Sequence, residues 1–162
     1  MNAGYYPDEI SEMIELPQNL SSSPFLYEFY GTVRWSVKSI FNGYLGWFNG
    51  NPAELDPLSR KEKAKRISKL AGGENELIKE LRLAVDKEDM QWALELSDYL
   101  ISLDLFNSEV KTLRQKALIH EGAKSSNPNK RNYFLSSALE LNDEFELTNF
   151  CLLYTSDAAD ED

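Results

Sequence analysis

Apolar side chains recur at three- and four-residue intervals along most of the chain, which is the spacing of one face of an α-helix. No segment shows the strict alternation of apolar and polar residues that is typical of a half-buried β-strand. The sequence therefore predicts an all-α fold. The predicted helices cover residues 5–15, 59–71, 74–86, 89–103 and 107–121, and a last helix begins at Asn127 and carries Phe145.

The most apolar segment runs from Phe25 to Phe48 and predicts one long helix that is rich in aromatic residues. Its apolar residues keep the helical spacing, and Trp35 and Trp47 widen the apolar surface beyond a single stripe. A helix with so wide an apolar surface packs on more than one side, in a core or against a partner. Residues 49–52, Asn-Gly-Asn-Pro, end the predicted helix.

Local signals mark the ends of several predicted helices. Ser59 and Glu62 have the spacing of a capping box. Asp89 and Asn107 stand where N-cap residues belong, because their short polar side chains accept hydrogen bonds from a first helical turn. Gly122 lies just after the predicted end of the helix that Asn107 begins.

Residues 74–121 resemble one and a half tetratricopeptide repeats, a helical-hairpin unit with a period of about 34 residues. The resemblance lies in the turn and helix start over residues 87–96, in Leu103-Asp104 and in positions of the helix that follows. The glycine common in the turn of the repeat is replaced here by Glu88. Since fewer than three repeats seldom stand alone, we expect the long aromatic helix to pack on these tetratricopeptide-like hairpins.

Charge and reactive side chains limit the functions open to this chain. Seventeen basic residues stand against 27 acidic ones, and the net charge of −10 disfavours a nucleic acid or an anionic membrane as partner. No apolar run approaches the roughly 20 residues that a membrane span needs. With one histidine, His120, and one cysteine, Cys151, neither a Cys/His zinc cluster nor a Ser-His-Asp triad is predicted. We therefore expect no catalytic residue and no metal site in this chain.

Six basic residues cluster on the predicted helix over residues 59–71. They permit two interpretations, an anion-binding patch or a solvated helix face. The solvated face is favoured, because runs of charge usually face water. The cluster comprises Arg60, Lys61, Lys63, Lys65, Arg66 and Lys69.

The last twelve residues, 151–162, do not fit the sequence before them. With permitted codons, the first ten of them back-translate to a string that looks like the transposase adapter of sequencing libraries, read through in frame. We expect the natural sequence to stop at or near Phe150, so that the adapter-like segment and its Cys151 are foreign to the protein. The alternative is a genuine acidic C-terminal tail.

Two long segments carry a more specific resemblance. Residues 29–38, Phe-Tyr-Gly-Thr-Val-Arg-Trp-Ser-Val-Lys, and residues 40–52, Ile-Phe-Asn-Gly-Tyr-Leu-Gly-Trp-Phe-Asn-Gly-Asn-Pro, are similar to the dimerisation domain of the zinc-dependent alkyl sulfatases, which are metallo-β-lactamase-like hydrolases. The resemblance covers residues 4–141. It implies a connector from a preceding catalytic domain over residues 1–23 and the dimerisation domain over residues 24–150. Shorter matches stand in the family's order at residues 7–10, 16–17, 57–58, 70–73, 91–96 and 131–135.

The resemblance implies an activity for a parent protein rather than for this chain alone. The parent is expected to be a linear primary-alkyl sulfatase, which uses two zinc ions to hydrolyse alkyl sulfates such as dodecyl sulfate to an alcohol and sulfate. In the family, a His-x-His-x-Asp-His motif and further residues of the preceding domain hold the zinc ions, and none of these ligands is found in this chain. The chain itself is expected to join two copies into a homodimer and to wall the active-site entrance.

The resemblance also implies roles for residues of the aromatic helix, whose same face serves both copies in a two-fold dimer. Tyr44 has two interpretations, a hydrogen-bond donor to the substrate sulfate or a core tyrosine. Residues 1–15 do not have the pattern of a signal peptide, and whether a bacterial parent is periplasmic or secreted stays open. The expected dimer interface comprises Phe29, Val33, Trp35, Val37 and Phe41.

A second function remains open on the sequence alone. The chain could be a stand-alone tetratricopeptide-like adaptor that binds a peptide in a groove between its helices. An adaptor is expected to be a monomer with an exposed concave groove, whereas the dimerisation domain is expected to self-associate through residues 25–48.

Overall fold

The computed structural model describes residues 4–142. Their α-helices pack without any β-strand, so the predicted all-α fold is confirmed for this part of the chain. The helices are α1 (Pro7–Met13), α2 (Gln18–Ser21), α3 (Val33–Leu45), α4 (Arg60–Ala71), α5 (Glu74–Asp86), α6 (Met90–Ser102), α7 (Ser108–Lys124) and α8 (Pro128–Glu140), with a 3₁₀ turn at Pro52–Glu54.

Helices α4 to α8 share one hydrophobic core. Each of them lies close to the next along the chain, α6 also packs against α4, and α7 against α5. Burying a leucine fully stabilises a fold by about 1.5–3 kcal/mol, so the core holds this array of hairpins together. The likeness to tetratricopeptide repeats stays a prediction. The largest fully buried apolar side chains are Leu77, Leu81, Leu96, Leu100 and Val110.

Helix α3 lies apart from this core. Among the helices of residues 4–142, only α1 comes close to α3. Val37 and Phe41 of α3 are buried, yet they do not belong to the core of α4 to α8. The expectation that the aromatic helix packs on the hairpins is therefore corrected, because α3 packs against α1 instead.

Helix α3 is also shorter than the helix predicted over residues 25–48. It begins at Val33, because Thr32 caps it: the Thr32 Oγ1 accepts a hydrogen bond of 3.0 Å from the Trp35 N–H. The Glu28 carboxylate accepts a second one, of 2.6 Å, from the Val33 N–H. These two acceptors satisfy free N–H groups of the first turn and fix the start of the helix.

The segment before α3 is held by the start of α8. The Asn129 side chain donates to the Tyr30 carbonyl at 2.7 Å, and the Asn127 side chain donates to the Gly31 carbonyl at 3.4 Å. These two carbonyls therefore accept hydrogen bonds from side chains of α8 and its N-cap rather than from the N–H groups four residues later in a helix. Tertiary contacts thus replace the helix that the apolar spacing of residues 25–32 indicates.

The predicted N-caps of the later helices are confirmed. The Ser59 Oγ accepts from the Glu62 N–H at 3.3 Å, and Asp89 and Asn107 cap α6 and α7 in the same way. Gly122 does not end α7, which continues to Lys124. The predicted position of Phe145 on the last helix lies outside the described residues, as does the whole of the adapter-like segment.

Candidate interaction surface

Large aromatic side chains stand exposed along residues 25–47, and together they are named here the aromatic surface. Tyr27 and Phe29 contact each other edge to face, with ring centroids 6.0 Å apart. Soluble proteins rarely leave so many large apolar side chains in water unless the surface binds something. The aromatic surface comprises Phe25, Tyr27, Phe29, Tyr30, Trp35, Tyr44 and Trp47.

The predicted interface residues of α3 point in two directions. Val33, Val37 and Phe41 follow one another at intervals of four residues and form one stripe along α3. Val33 is half-buried, whereas Val37 (8% exposed) and Phe41 (3% exposed) are buried. Trp35 lies two residues from this stripe, about 200° around the helix, and it is exposed with Phe29. Val37 and Phe41 are therefore covered by their own chain and support α3 from within, whereas Phe29 and Trp35 remain free for a partner.

Tyr44 stands in the last turn of α3, one turn beyond the buried stripe. Its side chain is 79% exposed, so the structure does not place it in a core. Gly46, with a φ of +78°, ends the helix two residues later and turns the chain towards Trp47 and Phe48, whose rings lie 5.7 Å apart. An exposed phenol and an exposed indole thus share one end of α3.

The exposed apolar surface extends beyond the residues that were predicted. Met13 and Ile14 at the end of α1, and Leu16 and Leu20 beyond it, are also exposed. The apolar spacing of residues 10–14 was the available signal, but it shows only that a helix has an apolar face and not what covers it. The predicted connector therefore carries apolar surface of its own.

No group of three or more His, Cys, Asp or Glu side chains within residues 4–142 is placed to hold a metal. The buried Nδ1 of His120 lies 3.8 Å from a Glu121 carboxylate oxygen, and the Lys130 Nζ lies 3.5 Å from the other oxygen.

None of the helices within residues 4–142 is both long and apolar enough to cross a bilayer.

The geometry defines a small helical domain whose exposed aromatic face is suited to association, and comparisons with known proteins agree. A family model described as alkyl sulfatase dimerisation matches residues 6–144. The chain is 42% identical over 147 residues to a linear primary-alkylsulfatase of Pseudomonas sp. (strain ATCC 19151), covering 90% of this chain and 28% of that protein. It is 34% identical to an (R)-specific secondary-alkylsulfatase of Pseudomonas sp., covering 87% and 21%.

Solved structures show the same similarity. The fold superimposes on the stereoselective inverting sec-alkylsulfatase Pisa1 from Pseudomonas sp. with a TM-score of 0.83 at 31% identity, covering 93% of this chain and 24% of that one. The chain belongs to the alkyl sulfatase dimerisation family. It spans between a fifth and a third of the length of the curated relatives named above.

Proposed function

We propose that this chain is the dimerisation part of a zinc-dependent linear primary-alkyl sulfatase that hydrolyses alkyl sulfates to an alcohol and sulfate. The chain's own role is to join two subunits into a homodimer. The zinc ligands and the residues that act on the sulfate ester belong to the rest of the parent protein. Membership of the dimerisation family, together with 42% identity to a linear primary-alkylsulfatase, supports this function over that of a stand-alone adaptor.

The observation that carries the proposal is the aromatic surface. Trp35 and Phe29 stay exposed although α3 is held firmly in place by Val37 and Phe41 on its other side. Aromatic side chains are the residue types that most often dominate the binding energy of an interface. A second copy that presents the same face removes these side chains from water and gives an isologous contact.

Tyr44 takes a second role in this proposal, beside the substrate. A phenol is a neutral donor that hydrogen-bonds to a sulfate oxygen without adding charge, and arginines of the parent's other domain supply the positive charge. The exposure of Tyr44 at the end of α3 supports this assignment, since its hydroxyl is open to contact from outside the domain. Trp47, exposed beside it, offers an apolar surface to an alkyl chain.

Replacing Trp35 by alanine tests the interface. We expect the full chain to be a dimer at micromolar concentration, and Trp35→Ala to raise its dissociation constant about tenfold or more, because a buried aromatic anchor is lost. Sedimentation equilibrium over a range of protein concentrations measures this constant.

Trp92 on α6 provides the matched control. It is 37% exposed against 40% for Trp35, so the two changes remove the same side chain at similar exposure on different parts of the molecule. Trp92→Ala is expected to leave the dissociation constant unchanged. A monomeric wild-type chain at micromolar concentration, or equal weakening by the two variants, would contradict the proposal.

A further inference from the structure

A cleft of about 340 Å³ separates the start of α4 from the second half of α6. Arg60 and Lys63 line it from α4, and Glu95, Asp98 and Tyr99 line it from α6. The volume lies within the range of about 300–1,000 Å³ that is typical of ligand sites. The cleft lies on the α4–α8 array, on helices that carry none of the aromatic surface.

The opposite charges of the two walls face each other without forming an ion pair. No nitrogen of Arg60 or Lys63 lies within 4.0 Å of a carboxylate oxygen in the described part of the chain. The next basic residue on α4 behaves differently, since Lys61 pairs with Asp104 at 2.5 Å. The donors of Arg60 and Lys63 thus remain available to a molecule that enters the cleft.

The two carboxylates of the acidic wall each accept a hydrogen bond from a side chain that does not line the cleft. Arg114 on α7 donates to the Asp98 Oδ1 and to the Ser97 Oγ, both at 2.6 Å. The Gln91 side chain donates to the Glu95 Oε1 at 3.0 Å. One oxygen of each carboxylate is used in these contacts, and the second oxygen of each is left for a ligand.

We infer that this cleft binds a peptide segment that carries a carboxylate and an ammonium or guanidinium group close together. Arg60 and Lys63 take the carboxylate, and Glu95 and Asp98 take the cation, each through charge-assisted hydrogen bonds. Tyr99 and Ile101 also line the cleft and give it apolar surface. A simple anion such as sulfate is a poor ligand, because it meets two carboxylates across the cleft and like charges repel.

The test uses the full ¹⁵N-labelled chain and two capped tetrapeptides, Ac-Glu-Gly-Gly-Lys-NH₂ and its reverse Ac-Lys-Gly-Gly-Glu-NH₂. We expect at least one of them to shift the backbone amide signals of residues 60–63 and 95–102 in a saturable way. Replacing Glu by Gln, or Lys by Gln, in that peptide is expected to weaken binding about tenfold, as the loss of a charge-assisted hydrogen bond implies.

Protein variants locate the site. Lys63→Gln and Glu95→Gln, both at exposed positions outside the core, are each expected to weaken binding of the same peptide about tenfold. Lys65→Gln, an exposed lysine of α4 that does not line the cleft, is the matched control and should leave binding unchanged.

Any one of three outcomes overturns the inference. The first is the absence of saturable shifts with either tetrapeptide. The second is equal binding of sodium sulfate at the same residues, which would make the cleft a simple anion patch. The third is undiminished binding of the peptides that carry Gln, a result that needs no protein variant. Failure here leaves the dimer proposal untouched, because none of these residues belongs to the aromatic surface.

Discussion

Glu88, in the turn between α5 and α6, has a φ of +59°, a backbone conformation that glycine adopts at lower cost than other residues. This is the position where the tetratricopeptide turn commonly has glycine. The Glu88 side chain is exposed and takes part in no ion pair within residues 4–142. The left-handed conformation is therefore not compensated by a contact of its side chain.

Glu88→Gly is expected to raise the free energy of unfolding by about 1 kcal/mol, since it relieves the left-handed strain at no cost in side-chain contacts. Urea denaturation followed by circular dichroism measures the change. Glu80→Gly, at an exposed position inside α5, is the control and should lower stability by about 1 kcal/mol. A loss of stability in both variants would show that the strain at Glu88 is smaller than the conformational entropy that glycine adds to the unfolded chain.

Gly122 allows α7 and α8 to approach each other closely. A Cβ atom at this position would lie 2.8 Å from the Leu135 Cδ2 and 3.3 Å from the Arg131 carbonyl oxygen. Gly122→Ala is therefore expected to lower the free energy of unfolding by about 1–2 kcal/mol, after the gain in helix propensity is counted. Thermal denaturation measures the loss.

Leu135→Ala provides the second half of this test. In that background the added methyl group of Gly122→Ala enters space that the leucine has vacated, so its cost is expected to fall. Additive costs in the double variant would mean that Leu135 is not what crowds the position.

At the scale of elements, Arg82 on α5 and Glu109 on α7 join two helices through a bidentate pair, with Nε and Nη2 donating to the two carboxylate oxygens. The hydrogen bond from Arg82, reinforced by its charge, holds the pKa of Glu109 below its usual range. A carboxylate whose pKa is lowered by folding stabilises the fold above its unfolded pKa. That stabilisation is lost as the pH falls through the lowered pKa.

Glu109→Gln is accordingly expected to be less stable than the wild type at pH 7 and to match it under acid conditions. Denaturation midpoints over a pH series test this. Glu80→Gln, which removes an exposed carboxylate of α5 outside any ion pair of the described residues, should show a much smaller dependence. The stability gap should also narrow with added salt, because the pair is exposed. A gap that widens as the pH falls would contradict the assignment.

Helices could be predicted where sequence signals agreed with the packing. The spans of α4 to α6 follow from local signals, and so do the caps of α4 and α6, since Ser59 and Asp89 bond within the first helical turn. The start of α3 at Val33 was missed, although Thr32 and Glu28 cap it locally. The non-helical course of the segment before it could not be predicted, because its carbonyls bond to Asn127 and Asn129, about a hundred residues away along the chain. Apolar spacing over residues 25–32 was no guide to these contacts.

The aromatic surface was only partly predictable. The resemblance placed Phe29, Val33, Trp35, Val37 and Phe41 at an interface together, but helical geometry turns Trp35 away from the stripe that ends at Phe41. Which side of α3 is covered depends on α1, and no pattern in the sequence identifies that neighbour. The dimer interface itself stays a prediction for Phe29, Val33, Trp35, Val37 and Phe41, of which Val37 and Phe41 are buried within their own chain.

At the scale of the whole molecule, the described residues place α3 and the core of α4 to α8 in two layers without a shared interior. Within residues 4–142, α3 lies close to α1 alone among the helices. Elements that share few buried contacts open independently. We therefore expect the amides of α3 to exchange hydrogen through a lower-energy opening than those of α6, which is buried in the core.

Hydrogen exchange of the full chain at two protein concentrations tests this prediction. Exchange in α3 should slow at the higher concentration, because the proposed dimer interface lies on that layer and would protect it by mass action. Hydrogen exchange in α6 that occurs through local opening should not change with protein concentration. Equal rates and equal concentration dependence in the two helices would show that the layers open as one unit.

The separation of the layers also bears on how such a domain diverges. Substitutions at distant sites without shared partners add in their effects rather than compounding. In the proposed dimer, a lineage can therefore alter the residues around Trp35 and acquire a new pairing preference while the leucines at 77, 81, 96 and 100 remain unchanged. The proposed interface and the buried core are then free to change at different rates. Two related domains can therefore stop pairing with each other while both keep the fold.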